Sequence, residues 1–263
     1  MPSEKEVLKL FPEPTSRLSA EDVYSNISFP MREARPYVII NMVSSLDGKA
    51  ASDGKASQIG SSADRTLMRT LRAHVDAVMV GSGTLRAEKL RLDVPENLSR
   101  KRESRGLKPQ PLAIVATTSG DVPLEENLLG SSPDNLLILA SPTVPQSRLV
   151  ALSRIASVEI LSKETRDVHL DPTNALEVLK KRHVVDLLLV EGGPTFNHAL
   201  ISAGLVDELF LTMAAKLLGG EKPETLNILE GRPLIQKAEQ PELISIHLSG
   251  NELFLRYALR ATK

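Results

Sequence analysis

A chain of 263 residues can bury a sizeable core as one large domain or two small ones, and its 41% hydrophobic and 25% charged residues match an ordinary globular protein. A net charge of −1 supplies no global field for nucleic acid or an acidic membrane, and no apolar run approaches the ~18 residues of a membrane span. Cysteine is absent, which excludes disulfides, thiolate catalysis, iron–sulfur clusters and the thiolate zinc sites of the nucleobase deaminases; with five histidines and no His-x-x-x-His pair, no metal site is expected.

Residues 1–36, punctuated by Pro2, Pro12, Pro14, Pro30 and Pro36, read as an N-terminal extension. It offers one short helix with Ser19 as N-cap before Ala20–Tyr24. It carries no apolar stretch ahead of a small-residue cleavage site, so a cytoplasmic address is expected. The remainder, 37–263, reads as one domain without a linker. Tyr37–Val43 is an apolar run of strand length broken only by Asn41, the pattern of a strand buried on both faces. Ser62–Val75 reads as a helix with Leu67, Leu71 and Val75 as its core stripe. Ala77–Val80 is a second buried strand, and the polar, basic stretch 89–110 reads as a loop. Leu112–Ala116 and Leu136–Ala140 are further strands, Pro145–Ile155 is a helix, and Val158–Leu161 is a short strand. Asp171 and Pro172 open a helix that runs to His183. Asp186–Val190 is a buried strand, Pro194–Ala203 a helix closed by Gly204, and Glu208–Met213 a strand. Glu242–Leu248 and Glu252–Leu259, joined by Ser249-Gly250-Asn251, read as a β-hairpin. Strand–helix alternation ending in antiparallel strands indicates an α/β fold with a mixed sheet.

Two strand–glycine–helix junctions stand out, Val80-Gly81-Ser82-Gly83-Thr84 and Val190-Glu191-Gly192-Gly193-Pro194-Thr195. Glycine lets backbone approach a ligand, and the helix that follows offers N–H groups to a phosphate, so the pair fits one dinucleotide pyrophosphate. Tight geometry alone also explains glycines at such turns. The dinucleotide fingerprint, the Walker phosphate loop and the G-x-S-x-G elbow are all missing.

Ser45-Leu46-Asp47-Gly48-Lys49 follows the first strand of the body, where Asp-Gly is ordinary turn chemistry but Asp47 and Lys49 also emerge where ligands dock. Asn41, polar inside a buried run, meets either a substrate or a neighbouring backbone group. Arg65, Arg69 and Arg72 share a helix face, which is either solvated or a phosphate grip; Arg100–Arg105 reads as a solvated loop. Glu191 ends an apolar strand, so its carboxylate is paired, capping a backbone group or facing a cleft.

Taken together, Asn41-x-x-x-Ser45-Leu46-Asp47-Gly48-Lys49, Arg72-Ala73, Val80–Glu88, Val190–Thr195, Gly204–Leu209 and Lys216–Gly220 resemble the riboflavin-biosynthesis reductase family over about 37–259. The family comprises the reductase half of a bifunctional deaminase–reductase and its stand-alone relatives. The resemblance implies a dihydrofolate-reductase-like fold: a mixed, mostly parallel sheet flanked by helices, with a C-terminal antiparallel hairpin. It implies NADPH-dependent reduction of a ribosylaminopyrimidine 5′-phosphate to the ribitylamino compound, with hydride delivered to ribose C1, and a homodimer to which the hairpin 242–259 supplies an edge or face. By the same resemblance Ser44, Thr84, Glu88, Thr117 and the turn Gly192, Gly193, Pro194, Thr195 and Phe196 would contact cofactor. Ser57, Arg72 and Glu191 would contact substrate, with Arg72 on its phosphate; Asn41 and Asp47 join this set, and Glu191 and Lys49 are the groups placed to handle a proton. The family often carries Asp at Glu88, then Asp-Pro and a substrate-binding arginine; here Lys89–Pro95 differs and Arg91 is the replacement considered. A tryptophan common in the family is Ile59. Relatives that reduce the diamino pyrimidine tend to carry Asn at position 41, and those that reduce the deaminated form carry Lys, so the diamino substrate is expected. The alternatives are a reductase of the same fold acting on another pterin- or pyrimidine-like molecule, or a non-catalytic nucleotide-binding protein.

Overall fold

The computed structural model describes residues 6–52, 55–56, 58–88, 90–123, 132–161, 170–221, 225–234 and 240–259. In chain order, β1 (Glu6–Phe11), β2 (Ser16–Ser19), β3 (Tyr37–Ser44) and β4 (Lys49–Ser52) precede α1 (Ser62–Arg72), β5 (Ala77–Gly81), α2 (Ser82–Ala87) and α3 (Glu96–Glu103). Then come β6 (Leu112–Thr117), β7 (Leu136–Ala140), α4 (Gln146–Leu152), β8 (Ser157–Ile160), α5 (Pro172–His183) and β9 (Leu187–Val190). The chain closes with α6 (Pro194–Ser202), β10 (Glu208–Met213), β11 (Thr225–Asn227), β12 (Glu242–Ser249) and β13 (Glu252–Ala258). Two compact units form, one from Met1–Phe29, Val38–Leu71 and Pro194–Lys263, the other from Pro30–Tyr37 and Arg72–Gly193.

The unit built on 72–193 carries parallel strands in the order β9-β5-β6-β7-β8. Its inner strands are runs of Val, Ile, Leu and Ala that are almost wholly buried, which is why they lack a polar alternate face. The register sets Gly81 against Ala116 and Thr117 against Ala140, so three strand C-termini lie side by side. At the opposite end, Asp76 Oδ2 accepts the N–H groups of Asp186 and Leu187, pinning the entry of β9 to that of β5. Asp171 caps α5 by accepting the Thr173 N–H at 2.9 Å, with Pro172 in the first turn as expected.

The other unit runs β2-β1-β12-β13-β10-β3, antiparallel except for the parallel pair β10 and β3. A separate small sheet pairs β4 with β11. Asp207 Oδ2 accepts the Val38 N–H at 2.8 Å and fixes the start of β3. The buried Glu208 carboxylate takes both forks of Arg256, whose guanidinium also lies 5.3 Å from the Phe210 ring centre.

Three expectations change. The segment after Ser19 makes turns rather than a helix: Ser19 Oγ donates to Asp22, and Tyr24 buries its ring edge-on against Phe210 at 5.1 Å. Residues 6–19 form strands because β12 supplies a partner for β1. The hairpin 242–259 is present, but it offers no free edge, since β12 pairs with β1 and β13 with β10. Finally, the stretch 89–110 is not all loop, because α3 lies within it.

Val184 closes α5 in the left-handed region, at φ 54°, although it is β-branched and 75% exposed. That conformation costs an L-residue about 1–2 kcal/mol, against roughly 0.5–1 kcal/mol of added chain entropy for glycine. Val184→Gly is therefore expected to raise unfolding stability by about 0.5–1 kcal/mol, read as a higher urea midpoint at unchanged m-value.

Candidate active site

At the C-terminal ends of β5 and β9 the two glycine junctions meet. The Glu191 N–H donates to Met79 O and the Gly81 N–H donates to Gly192 O, both at 2.9 Å. A Cβ on Gly81 would come within 3.1 Å of Gly193 N, and one on Gly193 within 3.2 Å of Thr84 Oγ1. Gly192 sits at φ +96°, open only to glycine. The close approach is thus first of all between the two turns. Beside them, Ser82 Oγ donates to Thr117 Oγ1 at 3.1 Å, linking the ends of β5 and β6. Glu88, buried, closes α2, its N–H donating to Thr84 O.

Arg72 and Glu191 form a bidentate ion pair, Nε to Oε1 at 2.7 Å and Nη2 to Oε2 at 2.6 Å, with side chains 4% and 7% exposed. Arg72 Nη1 donates to the Arg91 carbonyl at 2.6 Å. Burial pulls the Arg72 pKa down, but the charge of Glu191 and its hydrogen bonds reverse this and raise it. The backbone of Arg72 is held as well. Arg102, 1% exposed on α3, donates from Nη1 to Arg72 O and Val75 O and from Nε to Lys108 O. Desolvation lowers its pKa to about 10, so it remains a cation at neutral pH. Gln110 locks the same segment by exchanging two hydrogen bonds with the Val94 backbone.

In the other unit Asp47 ties two loops. Its carboxylate accepts Ser45 Oγ at 2.6 Å, Leu218 N–H at 3.1 Å and Gly219 N–H at 2.7 Å. Those donors, the Ser45 hydroxyl first, hold its pKa at about 2. Ser45 Oγ also accepts the Lys49 N–H. Asn41, half-buried, lies opposite Phe210 in the ladder, and the buried Ser44 opposite Met213. Pro194, Thr195 and Phe196 form the first turn of α6.

Residues 36–244 match the model of the RibD C-terminal domain. The chain belongs to this family. A 2,5-diamino-6-ribosylamino-4(3H)-pyrimidinone 5′-phosphate reductase of Archaeoglobus fulgidus is 33% identical over 205 residues, covering 77% of this chain and 90% of that one. The Methanothermobacter thermautotrophicus protein of the same name is 29% identical over 228 residues, covering 86% and 99%. Acinetobacter baumannii RibD has a similar fold, with a TM-score of 0.69 at 22% identity over 86% of this chain, which spans 58% of that longer one. A pyrimidine reductase-like protein of Corynebacterium diphtheriae gives 0.67 at 22% identity, covering 85% and 92%.

In this RibD C-terminal domain the expected residues fall into two sets, one in each compact unit. Thr84, Glu88, Thr117, Gly192, Gly193, Arg72, Arg91 and Glu191 lie in one; Asn41, Ser44, Asp47, Lys49 and Pro194–Phe196 lie in the other. Ser57 lies outside the described residues. Arg65 and Arg69 are exposed while Arg72 is buried, so the three do not act as one basic face. The Arg91 side chain is exposed and pairs with Asp93, while its carbonyl is what Arg72 uses. The reading of Arg100–Arg105 as a solvated loop fails at Arg102, whose burial in a helix of few apolar residues is satisfied by three carbonyls.

Removing one partner of a buried ion pair strands the other charge. Glu191→Gln should cost about 3–5 kcal/mol of stability, and Arg72→Met/Glu191→Leu less than either single change, measured by chemical denaturation. At Asp47 the folded pKa lies below the ordinary 3.8, so its stabilisation is present above that pH and lost as pH falls toward 2. Asp47→Asn should be less stable than the parent at pH 7, and the gap should close between about pH 4 and pH 2.

Proposed function

We propose that this chain reduces 2,5-diamino-6-ribosylamino-4(3H)-pyrimidinone 5′-phosphate to its ribitylamino form, using NADPH, in riboflavin biosynthesis. The observation that carries the reading is the joining of the two glycine junctions through Gly81 and Gly192, in a chain whose relatives bear that reductase name. The donor set fits a dinucleotide: half-buried backbone at Gly81 and Gly193 of the paired turns and hydroxyls at adjacent strand ends.

When bound, the nicotinamide supplies a hydride to C1 of the open-chain imine of the sugar. Thr84, Glu88, Thr117, Gly192 and Gly193, all in the unit built on 72–193, would hold the cofactor. Asn41 presents both a donor and an acceptor, suited to an exocyclic amino group of the diamino pyrimidine, where lysine offers donors only. Arg72 and Glu191 bind each other through two hydrogen bonds, so Glu191 acts toward substrate as an oriented acceptor and Arg72 as the group that aims it. Lys49 is the remaining candidate to deliver the proton that the imine nitrogen takes as C1 gains hydride. Neither step calls for a metal or nucleophile; positioning does most of the work. A cytoplasmic homodimer completes the reading, the dimer being checked by sedimentation.

NADPH consumption should be faster with the diamino than with the deaminated oxo substrate, and Asn41→Lys should narrow the ratio of kcat/KM. A higher kcat/KM for the oxo compound would reverse the substrate assignment. Gly193→Val sets branched carbons against Thr84 Oγ1. It should weaken NADPH binding by about tenfold or more in a folded protein, and unchanged affinity in a titration would move the cofactor elsewhere.

A further inference from the structure

We propose that Lys216 and Glu252 are positioning residues for the pyrimidine substrate, acting by fixing the turn 58–61 relative to the turn 45–49. The proposal rests on the reductase reading above, in which Asp47 and Lys49 serve the substrate and Ser57, the residue before the fixed turn in sequence, contacts it. Both turns and both anchors belong to one compact unit, built on 38–71 and 194–263.

The turn 58–61 leads into α1. Gln58 is exposed, yet two charged side chains remote in sequence hold this short stretch. At one end Lys216 Nζ donates to Gln58 O at 2.6 Å, across 158 residues of chain. The backbone around Lys216 is committed elsewhere. Its carbonyl accepts the Leu46 N–H at 2.8 Å, and the N–H groups of Leu218 and Gly219 donate to the Asp47 carboxylate. Lys216 therefore ties the turn that carries Asp47 and Lys49 to the one that follows Ser57.

Glu252 holds the other end. It opens β13, is 7% exposed, and gives both oxygens to Ser61: Oε1 accepts the Ser61 N–H at 3.2 Å, and Oε2 accepts the Oγ–H. A hydroxyl has one proton and two lone pairs. With the proton committed to Glu252, Ser61 Oγ accepts the Ala63 and Asp64 N–H groups at 3.1 and 3.3 Å and starts α1. Burial pushes the Glu252 carboxyl up, and the Ser61 donors with the charges of Lys216 and Arg65 pull it back only in part. Between the anchors Ile59 is 1% exposed, its N–H donates to Ala56 O at 2.9 Å, and a Cβ on Gly60 would strike the Asp64 side chain. Contacts of exposed charges add little to stability, and burying a carboxylate costs free energy. Two charged anchors on one short turn are instead what a binding site held in fixed geometry requires.

The test is steady-state kinetics of the full chain with the diamino ribosylaminopyrimidine phosphate, together with NADPH titration and a urea midpoint for each variant. Lys216→Met and Glu252→Gln should each raise KM for the pyrimidine about five- to tenfold, with kcat within about twofold and NADPH affinity level. Lys216→Arg, which still donates to Gln58 O, should recover most of the loss, and Glu252→Asp, which keeps two acceptor oxygens, part of it. Because both act on one turn, the double variant should raise KM by less than the product of the single effects. A lower urea midpoint with parental KM would overturn the proposal and leave the contacts structural only. Equal weakening of pyrimidine and NADPH would overturn it too. Should Glu252→Gln fail to fold, Lys216→Met, changed at an exposed residue, decides the matter by its KM. A parent that reduces the pyrimidine while the variants keep parental KM removes this proposal alone; a parent that binds NADPH but does not reduce the pyrimidine removes the reductase reading with it.

Discussion

The Arg72–Glu191 ion pair is the interaction on which the arrangement of the 72–193 unit turns. Two charges withdrawn from water cost several kcal/mol each, and only close geometry with further hydrogen bonds offsets that. Here the geometry is bidentate, and the third guanidinium nitrogen finds the Arg91 carbonyl. The pair therefore joins the last residue of α1, the first residue after β9 and the segment after α2. Its demands explain Arg102: a second buried cation is tolerated because it completes the carbonyls left open at the end of α1, including that of Arg72 itself.

The same strand end that places Glu191 places Gly192 and Gly193. Because the Glu191 N–H is held by Met79 O and the Gly192 carbonyl by the Gly81 N–H, acid and glycine turn are oriented by one stretch of parallel ladder. The turn proposed to bind cofactor and the carboxylate proposed to meet substrate are then adjacent in sequence. Small movements of β9 would reach both, which suits a reaction governed by positioning.

Much of this was legible in sequence for a physical reason. Strands β3, β5, β6, β7 and β9 are covered on both faces, so they appear as apolar runs, and the helix bounds at Pro172 and Gly204 follow from local capping. What was not legible is non-local. Arg72 and Glu191 are 119 residues apart, and no periodicity announces that they meet. Helix α3 buries Leu98, Ser99 and Arg102, so its core face is largely polar and the hydrophobic period is invisible. Strand β1 is flanked by prolines and has one fully buried side chain, Val7; its conformation comes from pairing with β12. Asp47 followed ordinary turn chemistry in sequence, but its tie to Leu218 and Gly219 required the fold.

The most direct measurement follows a labelled hydrogen. The protein is incubated with the diamino ribosylaminopyrimidine phosphate and NADPH deuterated at nicotinamide C4, and the product is read by mass spectrometry and NMR. The account predicts a ribitylamino product carrying deuterium at C1 of the former ribose, formed in step with NADPH oxidation. Recovery of unreduced substrate from a protein that binds NADPH, or of a reduced product without the label, would contradict it.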